Sequence, residues 1–205
     1  MNSSVRMLSS RRQPHPLLQA LWLLGVLACA HAPPPAPEAP PPSGPEAAAI
    51  SDAERRALAG TWVFSGGETE LAVVVQAVDH ATADMGFLAR PFAAEALRAR
   101  ARPRDRYTLS FEGQAVSIVS PDNPTEQGEI GGPPVKVTDR FGDENQTTFR
   151  MRDGALVEAG KSADGSGETV FTPGPDGQTL SVRRLMESGR ISAPVDVTLS
   201  YRRQE

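Results

Sequence analysis

Residues 195–202 read Val-Asp-Val-Thr-Leu-Ser-Tyr-Arg, and residues 179–186 read Thr-Leu-Ser-Val-Arg-Arg-Leu-Met. In the first stretch Val195, Val197, Leu199 and Tyr201 fall on one side of an extended chain, and Asp196, Thr198, Ser200 and Arg202 on the other. In the second, Leu180 and Val182 oppose Ser181 and Arg183. A period of two is the mark of a strand with one buried face. Upstream, the runs Tyr107–Glu112, Ala115–Ser120, Val135–Asp139, Gln146–Arg152, Ala155–Gly160 and Glu168–Thr172 lie between turn residues such as Gly113, Asp153-Gly154 and Pro175-Asp176-Gly177. Gly, Asn and Asp supply the positive φ that tight turns require. With a short run at Thr61–Phe64, this makes about nine one-sided strands joined in series, an antiparallel meander. Such a sheet exposes two edges unless it curls on itself. The predicted fold is therefore mainly β: one antiparallel up-and-down barrel of about 8–10 strands.

Between the first run and Tyr107 the period changes. Leu71, Val75, Val78, Thr82 and Met85 recur at helical spacing. Pro91 suits the opening turn of a second helix with Phe92, Ala93, Ala96 and Leu97 on its apolar side, and Pro103 ends it. The barrel is thus expected to carry a two-helix insertion after its first strand. Before that strand, Ser51-Asp52-Ala53-Glu54 has the form of a capping box opening a short helix to Leu58.

Leu58-Ala59-Gly60-Thr61-Trp62 resembles the G-x-W start of the lipocalin and fatty-acid-binding (calycin) barrels. The resemblance implies that Trp62 plugs the barrel floor beside a basic residue of a late strand, where Tyr201-Arg202-Arg203 stands. The helix pair resembles the helical lid of fatty-acid-binding proteins more than it resembles a lipocalin. It implies a small apolar or amphipathic ligand. In an interior lined by the apolar strand faces, Arg184 is the odd residue, continuing the Leu180–Val182 side with Met186 beyond. An inward guanidinium there would grip a ligand carboxylate through two hydrogen bonds; at the strand end it would instead rest in water. Arg184 and Tyr201 are the candidate ligand-binding residues.

Residues 1–28 read as a signal peptide, with Arg6, Arg11 and Arg12 before an apolar run from Leu17 to Ala28 that is too short to span a bilayer. Val26-Leu27-Ala28-Cys29 resembles the lipobox of bacterial lipoproteins, with valine where leucine is usual. That resemblance implies a thioether-linked lipid on Cys29 and a palmitate-type acyl chain on the new amino terminus. It also implies a place in the bacterial cell envelope, and Ala30 after the cysteine points to the outer membrane. Residues 29–49 then form a lipidated, Pro-rich linker of polyproline II character, and 50–205 form the barrel domain.

Composition excludes more than it assigns. Of 21 basic residues three precede residue 50, and of 25 acidic residues two do, so the domain sets 18 basic against 23 acidic. That balance gives no pull toward nucleic acid. Cys29 is the only cysteine, so no intrachain disulfide forms. No cofactor loop or nucleophile motif appears, and an enzyme is unsupported. His80 with Asp84 at i, i+4 offers two metal ligands where a stable site needs three or four. The run Arg98, Arg100, Arg102, Arg104, Arg106 reads either as a solvated helix end or as a surface that steers an acidic ligand. The sequence thus predicts a lipid-anchored ligand binder, with a filled barrel acting as an envelope structural or interaction protein as the alternative; it does not set the oligomeric state. In a bacterial host fed an alkyne-tagged palmitate, the full chain is expected to take up label, and Cys29→Ala to lose the label and leave the membrane fraction.

Overall fold

The computed structural model describes residues 49–204; the signal, Cys29 and most of the linker lie outside the described residues. Helix α1 (Asp52–Leu58) opens on the capping box read from the sequence: Ser51 Oγ accepts from Glu54 N, and Glu54 returns the bond to Ser51 N. Strand β1 (Gly60–Phe64) leads into helices α2 (Gly67–Ala81) and α3 (Arg90–Ala101). Nine strands follow: β2 (Arg106–Glu112), β3 (Ala115–Val119), β4 (Glu126–Glu129), β5 (Val135–Thr138), β6 (Glu144–Arg152), β7 (Ala155–Lys161), β8 (Ser166–Pro173), β9 (Thr179–Glu187) and β10 (Val195–Arg203). All ladders are antiparallel and join one ten-stranded sheet, ordered β4-β3-β2-β1-β10-β9-β8-β7-β6-β5. The mainly-β barrel with two helices after its first strand is what the sequence predicts.

One strand escapes the sequence pattern. Strand β4 reads Glu-Gln-Gly-Glu and has no apolar alternation to announce it. It forms because β3 offers it a ladder, with Val116 opposite Gly128 and Ile118 opposite Glu126. It also makes the seam. Strands β4 and β5 end the sheet without a ladder between them; instead Ile130 bridges Phe149 of β6, and Gly131 N donates to Phe149 O at 2.8 Å. The Phe149 ring fills the space over Gly128, where a Cβ would lie 2.7 Å from two ring carbons. The barrel closes through one aromatic ring and a few main-chain bonds.

The floor is the Trp62 cluster. Trp62 is fully buried and its indole N–H donates to Leu58 O at 2.9 Å. The Arg203 guanidinium lies 4.2 Å above the indole and donates to Ala59 O and to Ala57 O, while its Nε donates to Gly177 O. The guanidinium so crowds Gly60 (φ 129) that a Cβ there would lie 2.5 Å from it, which accounts for the glycine two places before the tryptophan. Above the floor, Phe64–Tyr201 and Tyr107–Phe171 pack edge to face and Tyr107–Tyr201 at a tilt, with centroids 5.2–5.7 Å apart.

The helices depart from the predicted stripes. In α2 the predicted stripe holds at Val78 and Thr82, both fully buried, and fails at Leu71 and Val75, which are exposed while Val74 and Ala81 are buried. In α3 Ala94 and Ala101 are buried and Leu97 half-buried, while Phe92 is 76% exposed. Helix α2 packs on β10 and α3 packs on α2, so each buries a narrow stripe and small residues suffice. Glu70 receives bonds from Ser200 N and Oγ, and Ser192 donates from N and Oγ to Ala81 O, so α2 is fixed to β10 at both ends. Gly128→Ala is expected to cost about 1–3 kcal/mol by over-filling the seam, read as a lower urea midpoint with unchanged slope.

Candidate functional site

Above the aromatic cluster the inward positions turn polar. The register faces Glu158 on β7 inward between Phe149 and Thr169, and places Arg184 on β9 across from Thr169 and Val197. Arg184 is therefore inward and half-buried, with Nη1 3.3 Å from Arg102 O. Glu126, buried on β4, takes a bond from Asn123 Nδ2 at 2.9 Å and lies 3.6 Å from the Arg104 guanidinium. Arg104 also donates to Ser120 Oγ at 2.8 Å. Its carbonyl accepts from Tyr201 Oη at 3.1 Å.

The arginine run is thus neither a uniform solvated end nor one continuous surface. Arg98 pairs with Asp79 on α2. Arg100 reaches over the barrel end to Asp139 at 2.8 Å and Asp143 at 2.5 Å, stacking 4.3 Å from Phe141. The helix ends at Arg102 in extended conformation, which lets Arg104 turn into the barrel while Arg106 stays exposed. From the β5–β6 turn Arg140 comes to the same place, bonded to Ala99 O. Arg102, Arg104 and Arg140 line a cavity of about 80 Å3 with Ser120, Pro121 and Asp122.

The charges of this region act on one another. Burial pulls the Arg140 guanidinium below its ordinary value, and the positive fields of Arg104, Arg184 and Arg102 add to that, against Asp122. Burial also works against charge on Arg104, but Tyr107, Glu126 and Glu158 more than offset it and leave it raised. Glu158 is raised. Desolvation comes first, then the charge and hydrogen bond of Glu126; Arg104 and Arg184 relieve this only in part, so its carboxyl is held well above the ordinary carboxylate range. By register its side chain faces the barrel interior, where it keeps some accessible surface. The Tyr201 hydroxyl is raised as well, by burial and then by Tyr107.

The two ligand residues predicted from sequence sit at different depths. Arg184 reaches the charged mouth, and among the described residues no carboxylate lies within 4.0 Å of it, of Arg102 or of Arg140. Tyr201 is buried in the aromatic cluster, its hydroxyl engaged by Arg104 O. Sequence reasoning missed Glu126, Glu158 and Arg140. Glu158 carried a usable signal, because it shares the parity of Leu156 in its strand; Glu126 and Arg140 carried none. His80 stands exposed on α2, and its neighbour Asp79 is taken by Arg98.

No protein-family model and no curated protein sequence matches the chain. Among solved structures it is similar in layout to apo lipid binding protein 8 of Caenorhabditis elegans, at 12% identity and a TM-score of 0.49 over 76% of this chain and 99% of that one. It is similar to the REP1-NXSQ fatty acid transporter at 16% and 0.47, covering 72% of this chain and 96% of that one. A zebrafish ileal bile acid-binding protein complexed with cholic acid aligns at 10% and 0.44, over 72% and 99%.

The raised Glu158 carboxyl makes stability depend on pH. Well below the ordinary carboxyl value of 4.5 both folded and unfolded chains hold the proton. As pH rises from there, the unfolded chain releases it first, so stability falls until the folded carboxyl has ionised. Glu158→Gln removes this dependence. Its Tm is expected to match wild type in acid and to exceed it increasingly toward alkaline pH, as read by thermal melts across a pH series.

Proposed function

We propose that this chain is a lipid-anchored envelope protein whose barrel binds a small amphipathic molecule with an anionic head. The observation that carries the reading is the set of guanidiniums at the mouth, Arg184, Arg140, Arg102 and Arg104, of which only Arg104 has a carboxylate beside it. Arg102 and Arg140 are exposed, but Arg184 is half-buried with only a carbonyl beside it, and a partly buried positive charge without a partner is costly. A carboxylate or similar head between Arg184 and Arg140 would supply that partner through charge-assisted hydrogen bonds. The apolar rows of β9 and β10, Val182, Val195, Val197 and Leu199, are the surface on which a tail would lie. The anchor on Cys29, the Pro-rich spacer and an outer-membrane location belong to the same proposal and rest on the lipobox-like sequence.

The mouth cavity of about 80 Å3 is smaller than the several hundred Å3 typical of small-molecule sites, so a ligand enters only if α3 moves aside. The bonds that hold α3 across the mouth are largely half-exposed ion pairs, each worth roughly 0–1 kcal/mol. The aromatic cluster that fills the lower barrel favours a second reading, a filled barrel that acts through its surface.

Delipidated protein purified from its own host is expected to carry an anionic amphiphile by mass spectrometry. Titration with dodecanoate is expected to show binding that dodecanol does not match. Arg184→Met should weaken dodecanoate by roughly 1.5–3 kcal/mol, the worth of a charged hydrogen bond, and barely change dodecanol. An empty protein that binds neither would leave the filled barrel as the reading.

A further inference from the structure

A carboxylic acid facing two arginines inside a site for anions is a contradiction unless its proton has a use. We infer that the barrel takes up its anionic ligand together with a proton, held on Glu158 against Glu126 beside Arg104 and Arg184. The inference rests on the anion-binding reading and adds the control of that same site.

The geometry supports it from every side. Glu158 points inward from β7, flanked in register by Phe149 on β6 and Thr169 on β8, neither of which carries charge. From β4, the buried Glu126 shares the inward side with Gly128, over which lies the ring of Phe149, the register partner of Glu158. From the segment before β2 comes Arg104, already engaged with Glu126 and Ser120. From β9, one strand beyond Thr169, comes Arg184. Two guanidiniums thus face two carboxyls. With both carboxyls ionised these four groups sum to zero, and only Arg140 and Arg102 at the rim remain to attract a ligand. With the proton on Glu158 it carries one net positive charge, enough for one anionic head. Arginine keeps its charge throughout, so the carboxyl pair alone decides which state is present. The hydrogen bond between the carboxyls also needs that proton, because two carboxylates are both acceptors.

No bond in the ligand changes: a proton from solvent settles on a Glu158 oxygen as the anion arrives, and returns to solvent as it leaves. Reciprocity follows, since whatever the proton does for the anion, the anion does for the proton. Desolvation and the neighbouring Glu126 charge hold the Glu158 carboxyl well above its ordinary range, which brings the switch toward the pH at which an envelope protein works. The domain's one histidine, His80, stands exposed on α2 and is not part of the group.

Decanesulfonate is the probe, because its head does not titrate. Isothermal calorimetry of the full chain from about pH 5 to about pH 9 is expected to show constant affinity on the acid side. Beyond a break it should fall by up to about tenfold per pH unit, the slope of one linked proton. Near the break, repeating the titration in two buffers of different ionisation heat should reveal proton uptake on binding. Glu158→Gln should flatten the profile. Glu126→Gln, which removes the negative neighbour, should move the break to lower pH and covers the case in which the first variant does not fold. Wild type that binds with a flat profile and no proton uptake overturns the inference and leaves the anion site standing. Glu158→Gln that keeps the wild-type slope, or Glu126→Gln with an unmoved break, assigns the proton elsewhere and also overturns it. Wild type that binds decanesulfonate at no pH overturns the anion site and this inference with it.

Discussion

A sheet that buries only one face must wrap that face shut, and here the wrap is completed by a single ring. Phe149 lies over Gly128 while Ile130 and Gly131 pair with its main chain. Nine of the ten strand-to-strand seams of a full circle are continuous ladders; the tenth is ring packing and an isolated bridge. If this seam parted, the inner rows of β9 and β10 would meet water. Glu126, on the edge strand β4, would also cease to be interior, and Glu158, on β7 two strands in from β5, would lose the enclosure it faces. Closure therefore creates the low-dielectric space in which everything at the mouth has its meaning.

Within that space the two ends are opposites. At the floor a cation is fully employed: Arg203 stacks on Trp62 and spends its donors on carbonyls of the α1 end and the β8–β9 turn. It welds helix, first strand and last strand together and has little left to give. At the mouth the cations are under-employed. Arg184 makes one long bond to a carbonyl, and Arg140 one bond to the end of α3. The same residue type serves as mortar at one end and as a standing attraction for anions at the other. What differs is how many acceptors the backbone brings within reach.

The helices join these ends to motion. Helix α2 is fixed to β10 through Glu70–Ser200 and Ala81–Ser192, whereas α3 is held at its far side by Arg100 to Asp139 and Asp143. Segments with few buried apolar contacts open locally at lower cost than the fold as a whole. Helix α3 buries Ala94 and Ala101, with Leu97 half-buried, so it is the natural element to lift. The charged mouth lies directly at its C-terminal end.

Much of this molecule was written locally. The alternation of Val195 to Tyr201 with its polar partners, the turn glycines, the Ser51–Glu54 capping box and Gly60-x-Trp62 all state their structure within a few residues, because period, cap and turn are short-range physics. They determined the meander and the inserted helix pair; the floor with its late-strand arginine was implied by the resemblance that Gly60-x-Trp62 carries. Other features had no local trace. Strand β4 exists because β3 pairs with it. The helices bury Val74 and Ala94 instead of Leu71 and Phe92 because only their packing against β10 and each other decides which stripe is covered. The meeting of Arg104, Glu126, Arg140, Glu158 and Arg184 joins residues up to 80 positions apart, and only closure of the sheet brings them together. Sequence could name the odd arginine; the acids that face it became visible only where the chain returned to itself.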